Sequence, residues 1–568
     1  MIITRLILII IILVVVTLLA AVIGGYMARV FDGRRTLLSP LLSPLEHLLY
    51  RICGIEGGRE MSWKSYAKAL LVFNILGFLA LFSLQELQGR LFFNPQSLGA
   101  VRWDTAANAA ISFVTNTNWQ SYSGEQTMSY LTQMMGMTVQ NFLSAGVGLA
   151  ASIALIRGIV RRDSASIGNF WVDLTRSVLY VLLPLALIWA LLLASQGVVQ
   201  TLGPYVSAET LEGREQIIAV GPAASQIAIK QLGSNGGGFF NANSAHPLEN
   251  PTPFSNFLEM LAILLLPASL PFAFGSMLND RRLGWALYAA MLVLFLLGLA
   301  ASEWAELSGS PLLTQLGIEN GTNMEGKEMR FSLFEAVLWA VSTTATSNGS
   351  VDAMHDSMMP LAGLVLLFNM IVGEVIFGGI GVGLMGIIFY AVLTMFIAGL
   401  MIGRSPELLG KKLEPFEMKM ATIALLLPSV AILAFAGVAI SLPIGLSSLN
   451  NAGPHGLSEI LYAFASACGN NGSAFAGLNA NTVFYNLALA AGMLIGRFAT
   501  IIPALAIAGS LAQKKAVPPS SGTFPFASIL FVIMLIGVII IVGALTFFPA
   551  LVLGPALEHW MVQAGRTF

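Results

Sequence analysis

Four short polar stretches recur along this chain, each set between apolar runs: TNTNWQSY from Thr115, GSNGGGFF from Gly233, TSNGSVDA from Thr346 and CGNNGSAF from Cys468. The last residues of their polar triplets, Asn118, Gly236, Gly349 and Gly472, are 118, 113 and 123 residues apart. Such even spacing implies an internal fourfold repeat, one supersecondary unit used four times. Any fold for this chain must give four Asn/Gly-rich loops equivalent places.

The surroundings of those loops are set by composition. Of 568 residues, 56% are hydrophobic and only 10% charged, far more apolar than a soluble domain. The chain reads as an all-α polytopic membrane protein. The 28 basic and 29 acidic residues leave no basic face for nucleic acid. Cys53 and Cys468 are its only cysteines, too few for a disulfide framework or a cysteine metal cluster. The first apolar run, Leu6 to about Tyr26, is longer than a signal-peptide core and matches a retained spanning helix. Further runs near 66–86, 127–157, 171–195, 254–278, 283–302, 359–403, 419–445, 482–510 and 524–552 bring the spans to ten. The loops after the odd-numbered spans, with RVFDGRR, RGIVRR, DRR, GRSPELLGKK and QKK, hold most of the Lys and Arg. By the positive-inside rule these loops are cytoplasmic and both termini external.

All four polar stretches then fall in external loops. Before each triplet lies an amphipathic run, DTAANAAISFV, GPAASQIAIKQL, FSLFEAVLWAVS or LSEILYAFASA, too short to span and long enough for a half-way helix. Asp104 suits an N-cap and Pro222 a first helical position. The chain must return from each half-helix as irregular backbone, tolerated at membrane depth only inside protein or lining a wet cavity. The expected unit is helix, re-entrant loop, helix, four times around a pseudo-fourfold pore. Each half-helix would aim its partly negative C-terminal end at the pore, which favours a cation. The triplets Asn116-Thr117-Asn118, Ser234-Asn235-Gly236, Ser347-Asn348-Gly349 and Asn470-Asn471-Gly472 contain no carboxylate. Carbonyl oxygens replacing a hydration shell suit a dehydrated potassium ion, whereas calcium and magnesium sites recruit carboxylates. Glu125, Glu249 and Asp352 lie beyond the triplets and are placed to enrich cations near the mouth.

Each stretch also has a plainer reading. A lone Asn-Gly is usually a turn, and it is recurrence in matching contexts that favours a filter. GGIGVGLMG, Gly378 to Gly386, is either small-residue helix packing or the break of a broken helix and mobile gate, since its apolar segment is too long for one straight span. Arg497 and Glu374 stand inside apolar spans, where an Arg, Lys or Asp costs about 2.5–3.5 kcal/mol on insertion scales and charged residues usually face a pathway. A structural ion pair is the alternative for Arg497.

The stretches VTNTNWQSYSGE, LGSNGGGFFNANSAHPLENP, TATSNGSVDAMHD, IFGGIGVGLMG and CGNNGSAFAGL resemble those of the potassium-binding subunit of the bacterial Kdp potassium-transporting ATPase, over essentially the whole chain. That family belongs to a superfamily of potassium transporters with four membrane-pore-membrane repeats, here with one extra helix at each end. The resemblance implies 1–65 as an N-terminal span with its loop, repeats at 66–160, 161–280, 281–410 and 411–515, and a C-terminal span at 516–568. It places Asn118, Gly236, Gly349 and Gly472 at the key filter position, Gln120 near the filter and Arg497 below it. Asn118 breaks the glycine pattern in the first repeat, as in the family.

The chain shows neither a GxxxxGK[ST] phosphate loop nor a DKTGT phosphorylation motif, so ATP is expected to be hydrolysed elsewhere. The resemblance implies a separate P-type ATPase catalytic subunit, a single-span accessory subunit and often a small membrane peptide, in a bacterial inner membrane. It also implies that potassium, the transported ion, leaves the filter sideways into the ATPase subunit. A stand-alone translocator driven by ion gradients, and a membrane scaffold without a permeant ion, are the competing readings.

Overall fold

The computed structural model describes residues 2–311, 315, 317, 322–373, 375–518 and 524–566. Among them, ten helices are long and apolar enough to cross a membrane. The first helix, α1, is Ile2–Phe31 and is followed by a shorter surface helix, α2, Ser39–Cys53. The first repeat consists of α3 (Trp63–Leu87), the half-length α4 (Trp103–Val114) and α5 (Thr132–Val160). The second has α6 (Phe170–Ser195), α7 (Ala223–Leu232) and α8 (Pro253–Met277). The third begins with α9 (Arg281–Ser308) and α10 (Leu333–Ala345) and returns as two helices, α11 (Pro360–Ile371) and α12 (Val382–Met401). The fourth comprises α13 (Pro415–Ser441), α14 (Gly453–Cys468) and α15 (Val483–Gln513), and α16 (Ile529–Gln563) closes the chain. The protein is thus a multi-pass helical membrane protein of four span–half-helix–span repeats with an extra span at each end. A small hairpin, Val206–Glu209 with Glu215–Ile218, decorates the α6–α7 connection.

Local chemistry explains most helix starts. Ser332 and Glu335 form a reciprocal capping box on α10, as Thr252 and Ser255 do on α8, each satisfying amides that have no intrahelical partner. Two expected start signals sit one or two places from where the sequence put them. Asp104 lies inside the first turn of α4 and not at its cap, fully buried, held by Arg102 at 2.5 Å and by Asn486 at 2.9 Å. Pro222 occupies the cap position of α7, one residue before the first helical one.

The spans of α5 and α8 are almost wholly buried, while those of α1, α3 and α16 are mostly open to the surroundings. Small residues allow the close crossings: a Cβ on Gly24 of α1 would lie 2.5 Å from the Ser269 carbonyl of α8, and one on Gly158 of α5 would lie 2.4 Å from Ala508 of α15. Packing, not apolar burial from lipid, drives such contacts.

The segment expected as one span over 359–403 is broken. Between α11 and α12 the chain runs irregularly, with positive φ at Gly373, Phe377, Gly378 and Gly381, and residues 375–381 are buried in protein, the condition for irregular backbone at this depth. The helix is broken at the glycine run, and small-residue packing holds there too, since a Cβ on Gly381 would lie 2.0 Å from the Gly148 carbonyl oxygen. In the loop before α13, Lys411 donates to the carbonyls of Gly158 (3.0 Å), Leu511 (2.7 Å) and Arg161, filling acceptors at the end of α5 and adding a second donor to the Leu511 carbonyl of α15, which the Lys514 amide also reaches at 3.2 Å.

Candidate functional site

The half-helices α4, α7, α10 and α14 each end at a triplet, and the four triplets share one backbone. The first residues, Asn116, Ser234, Ser347 and Asn470, have φ of +65°, +49°, +56° and +56°; the third, Asn118, Gly236, Gly349 and Gly472, have +54°, +78°, +87° and +100°. The middle residues have no positive φ. Glycine at the third position announced this conformation, and Asn is among the side chains that tolerate it. The first position, always Asn or Ser, was not legible.

In all four loops the middle amide turns back to the half-helix: Thr117 to the Ser112 carbonyl (2.9 Å), Asn235 to Lys230 (2.9 Å), Asn348 to Thr343 (3.1 Å) and Asn471 to Ser466 (2.8 Å). Three of the middle carbonyl oxygens lie against the third residue of a neighbouring repeat's triplet. A Cβ on Gly236 would lie 1.8 Å from the Asn348 oxygen, one on Gly349 2.0 Å from Asn471, and one on Gly472 2.1 Å from Thr117. Repeat two thus abuts three, three abuts four, and four abuts one. No hydrogen bond to the carbonyl oxygens of Thr117, Asn235, Asn348 or Asn471 is formed among the described residues.

Side chains stitch the loops together. Asn116 Nδ2 donates to the Ser234 carbonyl at 2.7 Å, and Asn235 Nδ2 returns to Asn116 Oδ1 at 2.7 Å. Asn348 reaches the Lys230 carbonyl at 3.2 Å, Ser347 Oγ the Asn470 carbonyl at 2.9 Å, Asn471 the Thr343 carbonyl at 2.8 Å, and Asn470 the Thr117 hydroxyl at 2.9 Å. Asn118 is tied within its own repeat, to Asn141 Oδ1 at 2.7 Å. The asparagines therefore brace the ring with their amides.

Gln120, half-buried, donates to the Gly238 carbonyl at 3.1 Å, so it bridges the first and second loops. Arg497 is buried and donates through Nη2 to the Ser144 carbonyl at 2.8 Å. Ser144, which the sequence did not single out, accepts from Asn235 (3.2 Å) and donates to Asn116 (2.8 Å). One residue therefore separates the guanidinium from two filter loops. Glu374 lies outside the described residues. The break between α11 and α12 also meets the ring, with Gly378 N–H on the Ala345 carbonyl at 2.9 Å and a Cβ on Gly379 3.0 Å from Ser347.

The three acids expected near the mouth part company. Glu125 is half-buried and accepts from the Asn241 amide at 2.9 Å. Glu249 is instead fully buried and paired with Lys230, whose ammonium also reaches Asn243 (2.7 Å) and Ser244 (2.8 Å). Asp352 is buried as well; desolvation, with Glu335 nearby, pushes its carboxyl far above the usual range. A further knot, unforeseen because it needs three distant segments, surrounds His455: Asp356 at 3.1 Å, Glu558 at 2.8 Å and Glu459 at 4.0 Å. Burial disfavours charge on His455, but the carboxylates of Asp356 and Glu558 outweigh it and raise its pKa to about 10.

Comparison with known proteins gives the family and the fold. The chain is 56% identical over 546 residues to the potassium-transporting ATPase potassium-binding subunit of a strain of Methylorubrum extorquens, covering 96% of this chain and 95% of the relative. It is equally 56% identical over 546 residues to that of Mesorhizobium japonicum, covering 96% of each. The crystal structure of the potassium transporter TrkH from Vibrio parahaemolyticus superposes with a TM-score of 0.52 at 14% identity, covering 86% of this chain and 96% of that one, a likeness of fold. The KdpA family profile, described as potassium-transporting ATPase A subunit, matches residues 10–560, and the chain belongs to that family.

Proposed function

We propose that this chain is the potassium-selective binding and translocation subunit of an ATP-driven uptake complex, in which a partner P-type subunit hydrolyses ATP. The observation that supports the reading is the interlocked ring: the four triplets share positive φ at their first and third residues, each follows the C-terminal end of a half-helix, and their middle carbonyl oxygens accept no hydrogen bond among the described residues. Such a ring offers neutral oxygens to a dehydrated monovalent cation. Arg497, two contacts below, repels an ion descending straight through, at about 4 kcal/mol for charges 4 Å apart at an effective dielectric of 20. A narrow cavity beside the ring, lined by Cys468, Asn470, Val372, Pro428 and Thr500, supports a sideways exit between the third and fourth repeats. The arginine-rich loops favour an inner-membrane orientation with both termini external. Accessory subunits, a single-span protein and a small peptide, complete the assembly.

Purification from native membranes tests the reading. The isolated chain is expected to bind potassium and hydrolyse no ATP, and the copurified complex to show potassium-stimulated hydrolysis. Robust ATPase activity in the isolated chain, or a complex indifferent to potassium, contradicts it.

A further inference from the structure

Helix α2 carries two apolar faces, and the fold covers one. Leu38, at its cap, and Leu42 and Leu49 pack on Val30 of α1 and on Leu179 and Tyr180 of α6. The Glu46 carboxylate fastens the helix there, accepting from Tyr50 (2.7 Å), Tyr180 (2.7 Å) and Arg176 (2.9 Å). The other face is bare: Leu41, Leu45, Leu48 and Ile52 are 75%, 39%, 49% and 70% exposed, and Leu37 just ahead of the helix is 96% exposed. Steps of four, three and four residues place the helical four in one row.

The position of that row says what covers it. Helix α1 exposes Ile10, Val14, Leu18 and Val22 in a row of its own, the lipid-facing surface of a span. That row ends at Tyr26, whose hydroxyl donates to the Tyr180 carbonyl at 2.9 Å, and α2 begins one short loop later. Tyr26, Tyr50 and Tyr180 gather at this level, as amphipathic rings do at a membrane–water boundary. Arg51 is exposed beside the row, and a cavity of about 920 Å3 on the opposite flank of α2 is lined by polar groups including the exposed Arg35, Ser39, Ser43 and His47. One flank of the helix is thus continuous with the hydrocarbon belt and the other is polar.

We infer that α2 lies in the bilayer interface on the arginine-rich side, its leucine row among acyl chains and Arg35 and Arg51 on the phosphates of anionic lipid headgroups. An amphipathic helix held in this plane gains from its buried apolar area and from the negative surface of the leaflet. Glu46 and the Leu42–Leu49 face dock it to the bundle, so the helix sets the depth of α1 and α6 as well as its own.

A nitroxide on Leu48→Cys reads the depth directly, in a Cys53→Ser background because Cys53 is exposed while Cys468 is buried. The full chain is placed in nanodiscs of phosphatidylcholine with or without phosphatidylglycerol. With phosphatidylglycerol, oxygen should relax the label several-fold more effectively than an aqueous nickel chelate. Removing the anionic lipid, or adding Arg35→Gln with Arg51→Gln, should shift the label toward water. A label open to the nickel chelate in both lipids overturns the inference. So does depth that is indifferent to phosphatidylglycerol, or shielding from both reagents that arises only when copurifying subunits are present, which would make the row a protein contact.

Discussion

A methyl group at Gly236, Gly349 or Gly472 would lie within 2.1 Å of a neighbouring repeat's carbonyl oxygen, on backbone that already resists any Cβ by about 1–2 kcal/mol. Alanine at these positions is expected to push the ring open, weakening potassium stimulation and admitting rubidium and sodium more readily in transport assays with the three ions. Gly237→Ala should do less, because its Cβ would meet the side chains of Asn118 and Phe113 at 2.8–3.0 Å on backbone without positive φ. Asn118→Gly should be mild at the backbone, with loss of the Asn141 bond as its cost. Arg497→Met should raise passive potassium leak in proteoliposomes more than it lowers thermal stability; coupling without leak would remove the barrier role. The glycines and Arg497 were legible because one conformation or one buried charge marks them. Ser144 and the braced asparagine amides were not, since their roles exist only once helices from different repeats meet.

The elements were legible to the extent that length and hydropathy define them. The half-helices follow the amphipathic runs, and the ten spans follow the apolar ones, but the break between α11 and α12 was only one of two readings of GGIGVGLMG. Where the chain leaves helical geometry depends on contacts with Gly148 and Ser347. A Cβ at Gly381 would collide with α5, so Gly381→Ala is expected to displace the break and change transport rate with less effect on ion preference, measured by comparing potassium and rubidium uptake. Lys411→Met should lower stability by about 1–3 kcal/mol, because it strands carbonyl acceptors at the end of α5; thermal unfolding checks this. His455 joins the third loop, α14 and α16. Its pKa is raised, so its contribution to stability is complete below about 6.5 and disappears as pH rises through about 10. The difference in unfolding temperature between wild type and His455→Gln should shrink across that window and stay constant below it.

At the scale of the molecule, an even repeat spacing and a nearly uncharged composition were enough to reach four units around an axis, because membranes restrict the permitted folds so strongly. The buried pair Lys230–Glu249 was not reachable, since nothing in a run such as GPAASQIAIKQL tells which charged side chain will find its partner inside. The central claim is that the four middle carbonyls, those of Thr117, Asn235, Asn348 and Asn471, hold the transported ion. Anomalous diffraction from the complex loaded with rubidium in place of potassium locates that ion directly. The account predicts a peak on the axis of the ring, within coordination distance of those oxygens and weakened by Gly349→Ala. A ring without a peak, with rubidium instead at the acidic knot of Asp356 and Glu459, would contradict it.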